Sequence, residues 1–382
     1  MGRYLLEGVR VLDVSQYIAG PSCCRMLADL GADVLQVQPP AGGASPLGTT
    51  YNIGKRSIAL DLKRPEGVEI ARTLATASDV IVESYRPGAL EELGLGADVL
   101  TDLNPRLIYV SISGFGQNTA SSNRRAFGAN AQAEAGLLWV MQQAQGGETP
   151  FSAGLPVADI VTGMYACTGI VAALYDRERT GRGQRIDMAL MDCQLAVLNE
   201  VARAPLADQG EQEWKPARHG LARCADGRYL TYNILFDPGD PERGYFRQMA
   251  RALGHETSPS PATAAEAEGL IAAWLGEVTA DAAAGAFDRE VVAYGVVKTL
   301  HEALAQPHYE ERRMVVELAG RRPGETLKVV NSPWAFSSAS VGPRSGPALP
   351  GADTRMVLGE LGYSPPEIER LIKDGIVTGA TP

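Results

Sequence analysis

The sequence predicts an α/β fold: a Rossmann-like parallel sheet in a large domain, accompanied by a smaller α/β unit. Three observations lead there. Over the first 115 residues, short β-branched runs alternate with helical stretches, the pattern of βαβ units that build a parallel sheet with helices on both faces. The chain has 382 residues, about 2.5 times the usual single domain, which makes two domains the prior. A charged, turn-rich stretch over 205–227 then separates this region from a second unit with an Ala-rich helical middle.

The elements follow in order. Val9-Arg-Val-Leu-Asp-Val14 is short, β-branched and apolar, as a buried strand should be. A helix over 22–30 stops at Gly31. Strands are expected at 33–37 and 57–62, a helix from Pro65 to about Ala77, and further strands at 79–82 and 107–112. No Gly-x-Gly-x-x-Gly follows the first strand, so a dinucleotide site lacks its signature. Residues 116–155 are polar and Gly-rich with one helix near 130–142. A long helix over about 157–179, a strand at 184–190 and a helix at 192–203 come next. The second unit runs from Arg228 to roughly Val316. Pro- and Gly-rich residues 321–351 read as an extended return segment, closed by helices near 354–361 and 366–374.

Composition excludes several classes of function. Hydrophobic residues make up 45% and charged residues 21%, ordinary for a soluble globular chain. The net charge of -10 argues against nucleic acid as a partner. Of the 35 basic residues 29 are Arg, whose planar fork of donors suits carboxylates and phosphates, so a local anion site remains possible on an acidic protein. Five cysteines without paired spacing argue against disulfides and against a zinc ribbon. The N-terminus lacks a signal-peptide core, and the longest apolar run, 166–175, is about half a membrane span. A cytoplasmic protein without a membrane partner is expected.

Common catalytic signatures are missing: no Walker A loop, no His-Glu-x-x-His, no Gly-x-Ser-x-Gly and no Cys-x-x-Cys occur, and all four histidines lie beyond residue 218. No metal site is expected. The acid that stands out is Asp159, in the first turn of an otherwise apolar helix. There the helix dipole and free N–H groups favour a carboxylate, and an ionised, partly desolvated carboxylate is what covalent catalysis by Asp requires. Gly163 and Ala166, at i+4 and i+7, would leave room above it. Helix capping is the competing role for Asp159.

Several ordered motifs resemble the class III CoA-transferases, the CaiB/BaiF family that includes formyl-CoA and carnitine CoA-transferases. They are Leu6-Glu-Gly-Val-Arg-Val-Leu-Asp-Val14, Ala19-Gly-Pro21, Leu27-Ala-Asp-Leu-Gly-Ala-Asp-Val34 and Lys55-Arg-Ser-Ile-Ala-Leu-Asp-Leu-Lys63. Arg86-Pro-Gly88, Asn104-Pro-Arg-Leu-Ile108, Ser113-Gly-Phe-Gly-Gln117, Arg177-Glu-Arg-Thr-Gly-Arg-Gly-Gln184 and Val357-Leu-Gly-Glu-Leu-Gly-Tyr363 extend the match over nearly the whole chain, weakest over 205–290. The resemblance implies an acyl-CoA:carboxylate CoA-transferase with coenzyme A or acyl-CoA as substrate and no tightly bound cofactor. It implies Asp159 as the nucleophile, passing through an aspartyl-acyl anhydride and an aspartyl-CoA thioester. It also implies an interlocked homodimer whose large, discontinuous domain joins 1–204 to 321–382, leaving 205–227 as linker and 228–320 as the small domain. The CoA contacts it implies are Tyr17, Ala19, Lys55, Arg56, Ser84, Tyr85 and Arg125.

Departures from the family pattern cluster where CoA is held. Gln36-Val-Gln-Pro-Pro40 stands where members carry a Lys-Val-Glu-like run and often Arg, Ser84-Tyr85 stands for Asn-Phe, and Glu91-Glu92 replaces a basic position. Losing a phosphate-pairing cation would weaken polyanion binding by a few kcal/mol. A related enzyme with a non-CoA acyl donor, or a lyase or dehydratase, is therefore the first alternative, and a non-catalytic subunit the second. The racemase branch uses a His-Asp pair where this chain has Phe127-Gly128, which argues against racemisation, since a two-base reaction needs a titratable group on each face.

Overall fold

The structure, a computed structural model, describes residues 2–40, 47–206, 219–233, 245–255, 261–320 and 324–379. The chain divides into two compact units, one of Met1–Trp214 with Glu311–Pro382 and one of Lys215–Glu310.

The first unit is built on six parallel strands, β1 (Arg10–Asp13), β2 (Asp33–Gln38), β3 (Arg56–Leu60), β4 (Val80–Glu83), β5 (Ile108–Ser113) and β6 (Arg185–Ala189). They lie in the order β3-β2-β1-β4-β5-β6, with Val377–Thr378 added antiparallel along the outer edge of β3. The central strands are apolar on both faces because both are covered. Val11, Val34, Val80, Val82, Ile108 and Val110 join one core cluster, while Leu12, Leu35, Ile58, Leu60, Ile81 and Tyr109 join the other. Each such side chain contributes about 1.5–3 kcal/mol by its burial. The strand order reverses between β1 and β4. In a doubly wound sheet the crevice beyond the carboxyl ends of the strands at that point is where ligands bind.

Two helices fill one face next to this crevice. Ala19–Asp29 follows β1 and ends before Gly31, whose φ of 107° only glycine takes without strain. The long helix Val157–Thr180 packs across it. By length and composition this helix would suffice to cross a membrane, yet its Ala158, Thr162, Gly163, Ala166 and Ile170 are core residues of the unit. A Cβ on Gly163 would lie 2.2 Å from Ser22 Oγ and 2.8 Å from Ala19 O. Gly163 and Ala166 therefore serve close helix contact; the space they were expected to leave above Asp159 is filled by the helix Ala19–Asp29.

Other expectations are modified in detail. The single helix near 130–142 is two, Gly128–Glu134 and Leu137–Gln145, broken at Gly136 in the left-handed region (φ 93°). The helix expected over 192–203 is likewise Leu190–Val197 followed by Asn199–Leu206. Residues 219–223, read as linker, form a strand, while 207–218 lie outside the described residues. Val315–Ala319, expected in the small domain, forms an antiparallel hairpin with Thr326–Val330 of the return segment, and both strands belong to the first unit. Thr354–Glu360 and Pro365–Lys373 then bring Val357, Leu358, Ile368 and Leu371 into the core beside β3.

The second unit contains an antiparallel sheet of His219–Arg223, Tyr229–Asn233 and Tyr294–Val296. Its helices Tyr245–Ala252, Ala264–Leu275 and Ala280–Glu290 bury Met249, Ile271, Leu275 and Phe287 against Leu230 and Tyr232.

Candidate active site

The site forms where the loops after β1 and β4 meet at the reversal of strand order. Asp13, the last residue of β1, accepts hydrogen bonds at Oδ1 from the N–H (3.0 Å) and the hydroxyl of Ser15. Its Oδ2 is 2.7 Å from Lys55 Nζ, and both side chains are fully buried. The ammonium also reaches Pro21 O at 3.0 Å. Removing either partner would leave an uncompensated buried charge, typically worth 3–5 kcal/mol of destabilisation. The Gln16 N–H donates to Ser84 Oγ at 2.8 Å, tying the β1 loop to the β4 loop. Between them Tyr17 is held at φ 64°, a left-handed backbone that a bulky residue adopts only where the surroundings impose it. Its exposed ring meets Phe127 edge-on, with centroids 5.3 Å apart at 80°.

Beneath β4, Glu83 is buried at the strand end. Burial pushes its carboxyl up to about 7, against the lowering effect of hydrogen bonds from the Ser111 hydroxyl and the Tyr85 N–H. The bond to Tyr85 N–H, at 2.8 Å, shapes the turn that carries Ser84 and Tyr85.

Asp159 is the third residue of the helix Val157–Thr180. The N-cap position is Pro156, which makes no side-chain cap hydrogen bond. Asp159 itself accepts its own first-turn N–H, so a capping role and a half-buried carboxylate coexist in this residue. Burial raises the Asp159 carboxyl above its ordinary range, opposed by a hydrogen bond from its own backbone N–H. Among the described residues it has no ion-pair partner. Its charge in turn adds to the burial that raises the Tyr51 phenol. Room for the carboxylate comes from Gly128: a Cβ there would lie 1.8 Å from Asp159 Oδ2 and 2.8 Å from Cγ.

Two clefts share Tyr17, Phe127 and Asp159. The first, about 310 Å³, is lined also by Gln16, Ala19, Ser84, Tyr85, Arg124 and Arg125 among others. The second, about 250 Å³, is lined by Ile18, Leu47, Ala129, Gln132, Leu155 and Pro156, with Gly128, Ser152 and Gly154 between them. A third, about 300 Å³, runs past Tyr17 to Gln36, Gln38, Tyr51 and Asn52 at the carboxyl ends of β1 and β2. Among the described residues no group of His, Cys, Asp and Glu gathers as a metal site.

The structure thus brings Asp159, Tyr17, Ala19, Ser84, Tyr85 and Arg125 to one cavity. Lys55 and Arg56 are placed elsewhere, contrary to their expected role as phosphate cations. Lys55 is locked inside against Asp13 because its ammonium neutralises a buried carboxylate. Arg56 pairs with Asp33 at 2.9 Å and Glu360 at 2.6 Å, fastening β3 to β2 and to the helix Thr354–Glu360. Of the three guanidinium groups lining the first cleft, Arg86 is held by both oxygens of Glu92 at 2.8 Å. Arg124 is held by Glu134 at 2.7 and 3.0 Å and lies over the Phe115 ring. Arg125 is exposed and makes no ion pair among the described residues. The importance of Phe127 and Gly128 as walls of the site had only a negative sign in the sequence, the missing acid-base pair. The missing side chain at Gly128 marks a close approach that becomes visible only with the fold.

Comparison with known proteins agrees with this picture. The sequence model of CoA-transferase family III matches residues 6–354. The chain is 31% identical to an acyl-CoA transferase of Fusarium pseudograminearum, over 97% of this chain and 88% of that protein. It is 31% identical to the succinyl-CoA–L-malate CoA-transferase beta subunit of Chloroflexus aurantiacus (93% and 94%). With the succinyl-CoA:glutarate CoA-transferase of Mus musculus it shares 30% identity (97% and 90%). The crystal structure of a CaiB/BaiF family protein from Brucella suis superposes with a TM-score of 0.82 at 27% identity, covering 94% of this chain and all of that one. The chain belongs to CoA-transferase family III, the CaiB/BaiF family, and is a CoA-transferase.

Proposed function

We propose that this enzyme moves CoA from an acyl-CoA thioester to a carboxylic acid through covalent intermediates on Asp159. The observation that carries the reading is the Asp159 carboxylate at the junction of two clefts, partly desolvated and without an ion-pair partner among the described residues. An Asp159 oxygen attacks the thioester carbonyl, the C–S bond breaks, and CoA leaves as thiolate. The thiolate then attacks Asp159 Cγ of the mixed anhydride, expelling the donor carboxylate and leaving an aspartyl-CoA thioester. The acceptor carboxylate attacks that thioester, re-forming an anhydride and releasing thiolate, which takes the new acyl group and restores Asp159. No net proton is transferred, consistent with a cavity that has no histidine in its lining. Poor solvation of the carboxylate favours this chemistry, because an attacking anion then has less water to shed.

The first cleft would receive the pantetheine end of the carrier, with Arg125 as its available cation. Tyr17, Ala19, Ser84 and Tyr85 would line the path. The uncovered apolar side chains Met164, Tyr165, Val171 and Tyr175 of the long helix suit a homodimer contact. The net charge of -10 suits a soluble cytoplasmic enzyme.

The test is acyl exchange: incubation with an acyl-CoA and an isotopically labelled carboxylic acid should yield the labelled acyl-CoA. The rate should fall at acid pH through an inflection above the ordinary carboxylate range, because only ionised Asp159 attacks. Exchange that persists undiminished in Asp159→Ala would refute the assignment.

A further inference from the structure

Tyr17 lines all three clefts around the strand reversal, and Asp159 lines two of them. The tyrosine sits at the tip of the short loop between β1 and the helix Ala19–Asp29, at φ 64°. The base of that loop is pinned from several directions. Val14 N–H donates to Val82 O at 2.9 Å, and Ser15 gives both its N–H and its hydroxyl to Asp13 Oδ1. Lys55 Nζ joins Asp13 Oδ2 to Pro21 O, so one ammonium holds the strand end and the helix start together. The two ends of the loop close tightly, since a Cβ on Gly20 would lie 2.3 Å from Ser15 Cβ.

Ser84 holds the tip. Its Oγ accepts the Gln16 N–H at 2.8 Å and donates to Gln16 O at 3.3 Å, so one hydroxyl takes both backbone groups of the residue before Tyr17. Gln16 O belongs to the planar peptide that leads into Tyr17, and fixing that plane fixes the φ of the tyrosine. Ser84 is placed in turn by Glu83, which ends β4 and accepts the Tyr85 N–H at 2.8 Å. A left-handed tyrosine is strained, and a pair of hydrogen bonds is of the same order as that strain. Without the hydroxyl the peptide is free to turn and the ring to leave its edge-on contact with Phe127. We infer that Ser84 is a positioning residue of the transferase, acting on the reaction through Gln16 and Tyr17 and not by touching the acyl carrier. Its effect on rate rests on the transferase reading above; its hold on Tyr17 rests on the loop geometry alone.

The test is a double-mutant cycle of Ser84→Ala and Tyr17→Gly, glycine being the residue that takes a positive φ without strain. Ser84 is half-buried, so alanine there leaves the fold intact. Rates are read with butyryl-CoA or succinyl-CoA, whichever the parent turns over faster, in exchange with the matching labelled acid. Ser84→Ala should lower kcat about 10-fold or more in the parent and less than about twofold in Tyr17→Gly, where no ring is left to place. No loss in the parent, or losses that multiply as a direct substrate contact would make them, would overturn the inference. In the ligand-free protein, hydrogen exchange of a peptide spanning residues 14–18 should be at least about 10-fold faster in Ser84→Ala at unchanged Tm. Exchange equal to the parent's would overturn the hold on Tyr17 whatever the activity. If neither thioester reacts with the parent, the transferase reading fails, and the hydrogen-exchange comparison alone decides whether Ser84 holds the loop.

Discussion

Replacing Gly128 by Ala places one methyl group against the carboxylate on which the mechanism depends. The backbone at Gly128 is outside the left-handed region, so alanine fits its conformation. At a helix start, alanine adds up to about 1 kcal/mol of local helix preference. The added Cβ would lie 1.8 Å from Asp159 Oδ2, where real contacts essentially never fall below 3.0 Å. Because the crowded atom is the end of a side chain, the carboxylate can turn away without disturbing the helices. Fold stability should therefore be unchanged or slightly raised. A displacement of about 1 Å at a reacting group can cost about 100-fold in rate, and a loss of that order in kcat/KM for CoA release is expected. Gly147→Ala is the control, since a Cβ there meets nothing within 4 Å. Activity of Gly128→Ala within about threefold of the parent, at unchanged Tm, would show that chemistry does not occur at this carboxylate.

Two further predictions concern the surroundings. Glu83 has its carboxyl raised from 4.5 to about 7 by burial, so the folded state holds a proton there that the unfolded chain has lost. Stability from this group is complete below pH 4.5 and declines as pH rises through 7, by up to about 3 kcal/mol. Glu83→Gln should flatten that decline in denaturant titrations between pH 5 and 8, and identical pH profiles would refute it. Arg125→Ala should raise KM for the CoA thioester about 10-fold or more, with an effect that shrinks in high salt. Arg124→Ala, already neutralised by Glu134, should change it less than threefold.

Much of the fold was legible because local signals and tertiary demands coincide. The β-branched runs of β1, β2 and β4 are strands buried on both faces, and Gly31 ends its helix as its sequence position implies. The helix breaks at Gly136 and between Val197 and Asn199 were not legible, since apolar periodicity continues through both. In the site, Asp159 stood out as an acid in an apolar helix. Lys55 and Arg56 misled because a basic pair on a loop looks free until Asp13, Asp33 and Glu360 are brought to it by packing. Gly128 and Gly163 show the same limit. Both are small residues, but one clears space for a carboxylate and the other for a helix, and their partners lie 31 and about 140 residues away in sequence.

The most direct test of the central claim is the mass of the peptide containing Asp159 after brief incubation with butyryl-CoA and quenching in hydroxylamine. Attack on the activated carboxyl should convert Asp159 to its hydroxamate, in an amount that depends on the thioester and vanishes in Asp159→Asn. An unmodified Asp159 alongside continuing CoA transfer, or the hydroxamate on another residue, would contradict the account.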